Sequence, residues 1–287
     1  MEPLRKPYWL KKRIPPIQDL VRVKSILEAG NLHTVCEEAR CPNLGECFSR
    51  GTATFLILGR VCTRNCGFCA VEHGIPFSPD EKEAEDLVNA VKRMGLRYVV
   101  ITSVTRDDLP DGGSSQYART IRALRALDRD IKVEVLIPDF RGDLPSLHVV
   151  LRETPDVLNH NVETIPRLYP RVRPQADYRR SLELLKRAKE GFFHVLTKSG
   201  FMLGLGETGR EVLGLLQDLR EAGCDFLTIG QYLQPRSDRY PVARYVPPEE
   251  FEECKSIGEE MGFKGVASGP FVRSSFHASR MFEMGRS

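Results

Sequence analysis

Residues 54–69 read TFLILGRVCTRNCGFC, an apolar run followed at once by three cysteines spaced C-x3-C-x2-C. The run Thr54–Gly59 predicts a β-strand closed by a glycine. Cys62, Cys66 and Cys69 then lie on the loop that leaves its C-terminal end. In parallel α/β barrels those loops carry the chemistry. Working outward, further strands are expected at Tyr98–Ser103, Lys132–Pro138, Val157–Glu163, His194–Leu205 and Phe226–Gln231. Between them run helix-period segments. Glu81–Met94 places Ala84, Leu87, Val88 and Val91 on one face and stops at Gly95. Thr208 and Glu211 form a capping-box pattern before Val212, Leu215, Leu216 and Leu219, and Gly223 ends that helix. Tyr178–Lys189 and Glu249–Met261 read the same way.

Such alternation predicts a parallel sheet with helices outside it. Six units are too few for the eightfold barrel. The expected fold is therefore α/β, a partial (β/α)6 TIM-type barrel over residues 54–268, with a doubly wound open sheet as the alternative. Residues 1–53 read as an N-terminal arm, Pro-rich and then helical near Asp19–Glu28. Residues 269–287 read as a C-terminal tail.

The chain has 287 residues, and 42 basic against 39 acidic side chains leave a net charge of +3. That balance implies no nucleic-acid or membrane partner. No apolar run reaches the roughly 18 residues of a membrane-spanning helix. Met1–Pro16 lacks the apolar core of a signal peptide, so a cytoplasmic location is expected. Thiols stay reduced there, and the eight cysteines read as metal ligands or core residues before disulfides.

Three thiolates on one loop can hold three irons of a 4Fe–4S cubane and leave the fourth open. S-adenosylmethionine (SAM) can chelate that iron, and an electron from the cluster then releases a 5′-deoxyadenosyl radical. The pattern resembles the signature of radical SAM enzymes. Phe68 is expected to pack beside the cluster and the adenine. A zinc knuckle is the plainer alternative, but a structural zinc site wants four ligands. Cys36, Cys41 and Cys47 form a second triplet, C-x4-C-x5-C, in the arm. Beside the first, it reads as the seat of a second iron–sulfur cluster.

From about Pro7 to Phe276 the sequence resembles the lipoyl synthases. The resemblance rests on Val35–Cys47 (VCEEARCPNLGEC), Gly51–Val71, Thr102–Gly113 (TSVTRDDLPDGG), Leu158–Arg180, Lys198–Glu207 (KSGFMLGLGE), Gly230–Pro235 (GQYLQP) and Gly269–Phe276 (GPFVRSSF). It implies insertion of two sulfur atoms at carbons 6 and 8 of an octanoyl chain on a carrier lysine. One deoxyadenosyl radical is used per hydrogen removed. The implied cofactors are SAM and two 4Fe–4S clusters, the auxiliary one being the sulfur donor. The implied partners are octanoylated lipoyl carrier domains, on 2-oxoacid dehydrogenase acyltransferase subunits and the glycine-cleavage H protein. An electron donor such as ferredoxin or flavodoxin is also implied. A monomer is expected.

The auxiliary cluster needs a fourth ligand. Cys224 and Cys254 are candidates by element, yet both read as core residues. The resemblance points instead to Ser275, so that arm and tail would share one cluster; its neighbour Ser274 is expected to matter less. A serine oxygen is a poor match for thiolate-held iron, which suits a cluster that must release sulfide. A solvated tail is the plainer reading of the two serines. The chain departs from the family pattern in four places. Phe276 replaces a tyrosine, Arg60 an acidic residue and Gly67 a basic one, and Arg236–Tyr240 lacks a histidine.

Asn159, Asn161 and Glu163 alternate at the end of the fourth strand and are expected to face inward, with Asn161 and Glu163 as SAM contacts. Gly200, Gly204 and Gly206, followed by Glu207, permit close approach of a ligand; a tight strand-to-helix turn would need the same glycines. Lys198 is similarly placed. Arg106, Asp107 and Asp108 form a charged loop open to a ligand role or a solvated one. Arg5, Lys6, Lys11, Lys12 and Arg13 make the arm basic, either as a solvated terminus or as a docking surface for an acidic carrier.

Overall fold

The computed structural model describes residues 5–12 and 17–285, which divide into two compact units. The first comprises residues 17–65 and 70–158, the second residues 5–12, 66–69 and 159–285. These units cut across the arm, barrel and tail segments read from sequence, which follow the order of motifs rather than compactness. Arg13 lies outside the described residues. Among those described, no helix is long and apolar enough to cross a membrane.

In the first unit α1 (Ile17–Ala29) leads to β1 (His33–Thr34), α2 (Val35–Glu38) and α3 (Leu44–Ser49). Then come β2 (Thr54–Ile57), the short β3 (Val61–Cys62) and β4 (Glu72–His73), and α4 (Glu83–Met94). The unit continues with β5 (Tyr98–Ser103), α5 (Ser114–Leu127), β6 (Lys132–Leu136), α6 (Leu144–Leu151) and β7 (Val157–Asn159). Strand order is β1-β2-β5-β6-β7. β1 is antiparallel to β2, whereas β2, β5 and β6 pair in parallel. Parallel strands need crossover helices, and α4 and α5 supply them. Helix α4 buries Ala84, Leu87, Ala90 and Val91 and ends on Gly95 in the left-handed region (φ 69°), as its pattern predicts. β5 buries four successive residues, Val99–Thr102, because a parallel strand covered on both faces has no wet side.

In the second unit α7 (Tyr169–Val172) and α8 (Tyr178–Gly191) precede β8 (Leu196–Leu203). Next are α9 (Gly209–Glu221), β9 (Phe226–Gln231), α10 (Pro248–Glu260), β10 (Gly265–Gly269) and α11 (Ala278–Met284). β8, β9 and β10 are parallel neighbours. Thr208 caps α9 with both arms of the predicted capping box. Val212, Leu215, Leu216 and Leu219 of α9 enter a core with Leu203, Leu227, Ile229 and Phe251. Truncating a fully buried leucine such as Leu219 to Ala would cost about 2–5 kcal/mol.

Strand β10 is a further parallel strand beyond the six expected. Its sequence GVASG lacks the β-branched run that marks the others, so its strand character comes from pairing with β9.

Candidate active site

At the end of β2, Leu58 (φ 68°) and Gly59 (φ 81°) both adopt left-handed backbone. For leucine that costs on the order of 1 kcal/mol. The Glu83 carboxylate holds the turn: it accepts from Leu58 N (3.0 Å), Gly59 N (3.4 Å) and Gln116 Nε2 (2.9 Å). Burial pushes the Glu83 carboxyl up, and those three donors pull it back only in part.

The turn delivers Cys62 to the loop that follows β5. Cys62 Sγ accepts the backbone N–H of Arg64 (3.4 Å) and of Thr105 (3.3 Å). Thr63 gives its N–H and its hydroxyl to Thr105 O, at 3.0 and 2.9 Å, and takes the N–H of Asp107 at 3.0 Å. Arg64 points inward with its side chain only 4% exposed. Its Nε and Nη2 donate to Asp107 at 2.6 and 2.9 Å, and Nη2 also donates to Asp139 Oδ1 at 2.6 Å. Burial works against the Arg64 charge, yet these carboxylates hold the guanidinium above its usual range. Arg106 is also buried and clamps Asp108 through Nε and Nη2. The Arg106–Asp108 segment is thus paired internally, as framework for the cysteine loop rather than as an open charged loop.

Cys66 and Cys69 belong to the second unit, where Cys69 N donates to Cys66 O at 3.1 Å. Gly67 between them is pinned on both sides: its N–H reaches Val172 O, and its C=O takes Tyr240 N–H, each at 2.8 Å. A Cβ on Gly67 would stand 2.9 Å from Arg171 O. That explains why no basic side chain stands at this position here. Phe68 packs against the core of this unit.

In the first unit Thr34 caps α2 through Glu37 N, and Cys36 lies buried in that helix. Cys41 N donates to Cys36 O at 3.0 Å, and Cys47 N to Asn43 O at 2.9 Å. Burial pushes the Cys36 thiol up to about 12, and the neighbouring Cys41 and Cys47 push the same way. The fold therefore brings the arm triplet together. None of the eight cysteines is in a disulfide. Among the described residues no three His, Cys, Asp or Glu side chains gather as ligands of one metal ion. A cubane does not require that, because each of its thiolates binds a different iron. The donor set fits such a cluster: thiols outside any disulfide, with two N–H groups already aimed at Cys62 Sγ. Cys224 is fully buried and donates to Phe226 O at 3.1 Å, and Cys254 packs against the core, so both serve the interior as read.

In the second unit the chain after β7 runs beside β8, with His160 N on Lys198 O and Glu163 N on Gly200 O. Asn161 Nδ2 donates to Glu163 Oε1 (3.0 Å) and to Ser274 Oγ (2.5 Å). Asn161 Oδ1 is buried with no hydrogen-bond partner among the described residues. That orphaned acceptor fits a ligand hydroxyl or amine. Burial pushes the Glu163 carboxyl up, against the pull of Arg173, Asn161 and Arg273. Lys198 is buried on β8. The Glu207 carboxylate accepts from Gly204 N (2.6 Å) and Leu205 N (2.9 Å), building the turn out of β8. A Cβ on Gly204 would meet Gln231 Nε2 at 2.2 Å, so that glycine serves the turn as well. Ser275 is half-buried in the turn before α11, where its C=O accepts Ala278 N at 3.3 Å. Lys12 of the arm lies 4.8 Å from the Phe271 ring and 5.5 Å from that of Phe276. A phenyl ring suffices for that contact, and the hydroxyl of a tyrosine is not needed.

Sequence reasoning missed Arg64, Asp139, Thr105 and Glu83. None carries a motif, and each acts through a partner distant along the chain. A buried-position acid directly after a strand, as Asp139 is after β6, was the one signal present.

A sequence profile of the radical SAM superfamily matches residues 56–219, and one of the N-terminal domain of lipoyl synthase of the radical SAM family matches residues 1–41. The lipoyl synthase of Caldanaerobacter subterraneus subsp. tengcongensis is 57% identical over 275 residues, covering 96% of each chain. That of Rubrobacter xylanophilus is 56% identical over 281 residues, covering 98% of this chain and 88% of the other. Among solved structures, Streptococcus suis SuiB bound to S-adenosylmethionine aligns with a TM-score of 0.55 at 12% identity. It covers 76% of this chain, which spans about half the length of SuiB (49%). The radical SAM enzyme HemN of Escherichia coli, a coproporphyrinogen III oxidase, aligns at 0.51 and 16% identity, covering 78% of this chain and 57% of its own. At these identities the likeness is one of fold, the partial TIM-type α/β barrel.

Proposed function

Because this chain belongs to the lipoyl synthase family of radical SAM enzymes, we propose that it is a sulfurtransferase that converts carrier-bound octanoyl-lysine to lipoyl-lysine. Sulfur enters at carbons 6 and 8. A 4Fe–4S cluster on Cys62, Cys66 and Cys69 with SAM bound supplies one-electron cleavage of SAM, and so abstraction of hydrogen from unactivated carbon. Cys36, Cys41 and Cys47, with Ser275 as the weak fourth ligand, would hold an auxiliary cluster, which would serve as the sulfur source.

The chain's own residues prepare these seats. Thr105 and Arg64 aim N–H groups at Cys62 Sγ, hydrogen bonds that would tune a cluster bound there. Arg64 and its two carboxylates fix the loop. Asn161 and Glu163 present polar atoms at the end of β7 for SAM. The partners are octanoylated lipoyl carrier domains and a one-electron donor of the ferredoxin or flavodoxin kind. The protein acts as a monomer in the cytoplasm, where thiols stay reduced.

The observation that carries this reading is the coexistence of both cysteine triplets, neither engaged in disulfides, in a chain so close to lipoyl synthases over nearly its whole length. Anaerobic turnover of an octanoyl-lysine peptide with SAM and reductant, read by mass, tests it. The peptide should gain two sulfur atoms. The purified protein should be brown with about eight irons per chain, as two cubanes require. Colourless, zinc-loaded protein and unchanged peptide would overturn the proposal.

A further inference from the structure

The C-terminal tail is seated on the second unit by contacts that converge on one residue. Gly230 ends β9 beneath it: a Cβ there would meet Val272 O at 2.2 Å and Arg273 Nη1 at 3.1 Å. The tail backbone therefore rests directly on the strand, an approach only glycine allows. Val272 N returns to Gly269 O (3.0 Å), and Arg273 Nη1 donates to Val272 O (2.7 Å). The Arg273 guanidinium also lies close enough to Glu163 to act on its carboxyl. Next in sequence, Ser274 Oγ takes the 2.5 Å hydrogen bond from Asn161 Nδ2. Asn161 is itself fixed, since the same amide donates to Glu163 Oε1, and Glu163 is tied into β8 by bonds to Gly200 O and from Met202 N. Phe276 N closes the turn on Arg273 O at 3.0 Å.

We propose that Ser274 is a positioning residue for Ser275: its hydrogen bond to Asn161 sets the register in which the tail presents the next side chain. Consecutive Cα atoms are only about 3.8 Å apart, so a tail released at 274 cannot keep Ser275 in place. The expectation that Ser274 matters less than Ser275 is revised accordingly. The inference rests on the ligand role proposed for Ser275. It adds that the Asn161 amide, beside the candidate SAM contacts, is the anchor of the sulfur-donor side.

The test uses clustered holoenzyme and the variants Ser274→Ala, Ser274→Thr and Gly230→Ala, the last displacing the tail without touching the hydroxyl. Two readouts are taken: lipoyl product per deoxyadenosine, and hydrogen exchange of the amides at 271–277. In Ser274→Ala deoxyadenosine formation serves as the denominator, because Asn161 is itself a candidate SAM contact. Product per deoxyadenosine should fall at least roughly tenfold, and tail exchange should quicken about tenfold. Ser274→Thr, which keeps the acceptor oxygen, should restore both, and Gly230→Ala should repeat the Ser274→Ala result. Unchanged exchange in Ser274→Ala, or faster exchange with coupling intact, overturns the proposal. Wild-type protein that cleaves SAM and makes no lipoyl group would count against the functional reading instead. The exchange arm would then decide the latch by itself: faster exchange in Ser274→Ala supports it, and unchanged exchange overturns it.

Discussion

The backbone N–H of Thr105 stands 3.3 Å from Cys62 Sγ, so a strand end more than forty residues further along the chain reaches the first cysteine of the proposed cluster site directly. The contact exists because Thr63 and Arg64 bind the loop after β5 through Thr105 O, Asp107 and Asp139. Arg64 should therefore govern both stability and cluster retention. Arg64→Met keeps most of the volume but takes the guanidinium away from the buried Asp139 and the largely buried Asp107. We expect a loss of about 3–5 kcal/mol, read from the denaturant midpoint, with lower iron content. Asp139→Asn keeps shape and one hydrogen bond and should cost clearly less.

The two cysteine triplets should separate by chemistry. Replacing Cys62, Cys66 or Cys69 by Ala should abolish deoxyadenosine formation and lower iron by about half. Replacing Cys36, Cys41 or Cys47 should spare SAM cleavage and stop sulfur insertion. Circular dichroism must first show that the arm variants remain folded, because metal binding can be coupled to folding. Sulfurated product from a Cys36→Ala variant would refute the donor assignment.

Gly67 offers a steric test. Gly67→Lys would restore the basic residue usual in the family, yet its Cβ would stand 2.9 Å from Arg171 O. Backbone cannot yield as a flexible side chain can, so we expect about 1–3 kcal/mol of destabilisation. The bonds from Gly67 N–H to Val172 O and from Tyr240 N–H to Gly67 O should loosen, and deoxyadenosine formation should fall several-fold. Equal melting temperature and activity in the variant would show that the strip moves freely.

Stability should fall in acid through Asp225. Burial opposes its charge, but Lys189, the Thr197 N–H and Lys264 outweigh that and hold the carboxyl below its usual range. A depressed folded value stabilises the protein above the unfolded pKa of about 3.9, and this is lost as pH falls through the lower, folded one. Glu83 has the opposite sign. Its raised value means that stability declines as pH rises from about 4.3 through the folded value. Denaturation curves from pH 2 to 7 should show Asp225→Asn with a flatter acid limb than wild type, and Glu83→Gln with less decline above pH 4.3.

Much of this was legible in sequence because local chemistry decided it. The Thr208–Glu211 capping box, the Gly95 helix stop and the strands Tyr98–Ser103 and Phe226–Gln231 each follow from a few adjacent residues and appear as read. The Val157–Glu163 and His194–Leu205 runs shorten to β7 and β8; at the end of β8 the Gly204 and Leu205 N–H groups bond the Glu207 carboxylate instead of a neighbouring strand. β10 escaped because its strand character comes from pairing with β9, not from its own residues. Within the candidate site the cysteines were legible by spacing. Their supports were not, because the bonds Arg64–Asp139, Cys62–Thr105 and Asn161–Ser274 join residues brought together only by the fold. Gly204 and Glu207 show the converse. Their pattern suits a ligand or a turn equally well, and the structure uses both residues to build the turn.

Leu58 and Gly113 fit as cast and mould. A Cβ on Gly113 (φ 88°) would lie 2.3 Å from Leu58 Cδ1, so the methyl occupies the volume that any larger residue at 113 would need. The strained leucine that opens the cluster loop and the glycine that precedes α5 thus behave as a single locus with one side chain to share between them. Enlarging position 113 forces the Leu58 side chain to shift or to shrink, and the left-handed backbone at 113 still penalises the result by roughly 1 kcal/mol. Two sites far apart in the chain are therefore coupled, so that a change at one alters what the other tolerates, a constraint that no inspection of either residue singly would disclose.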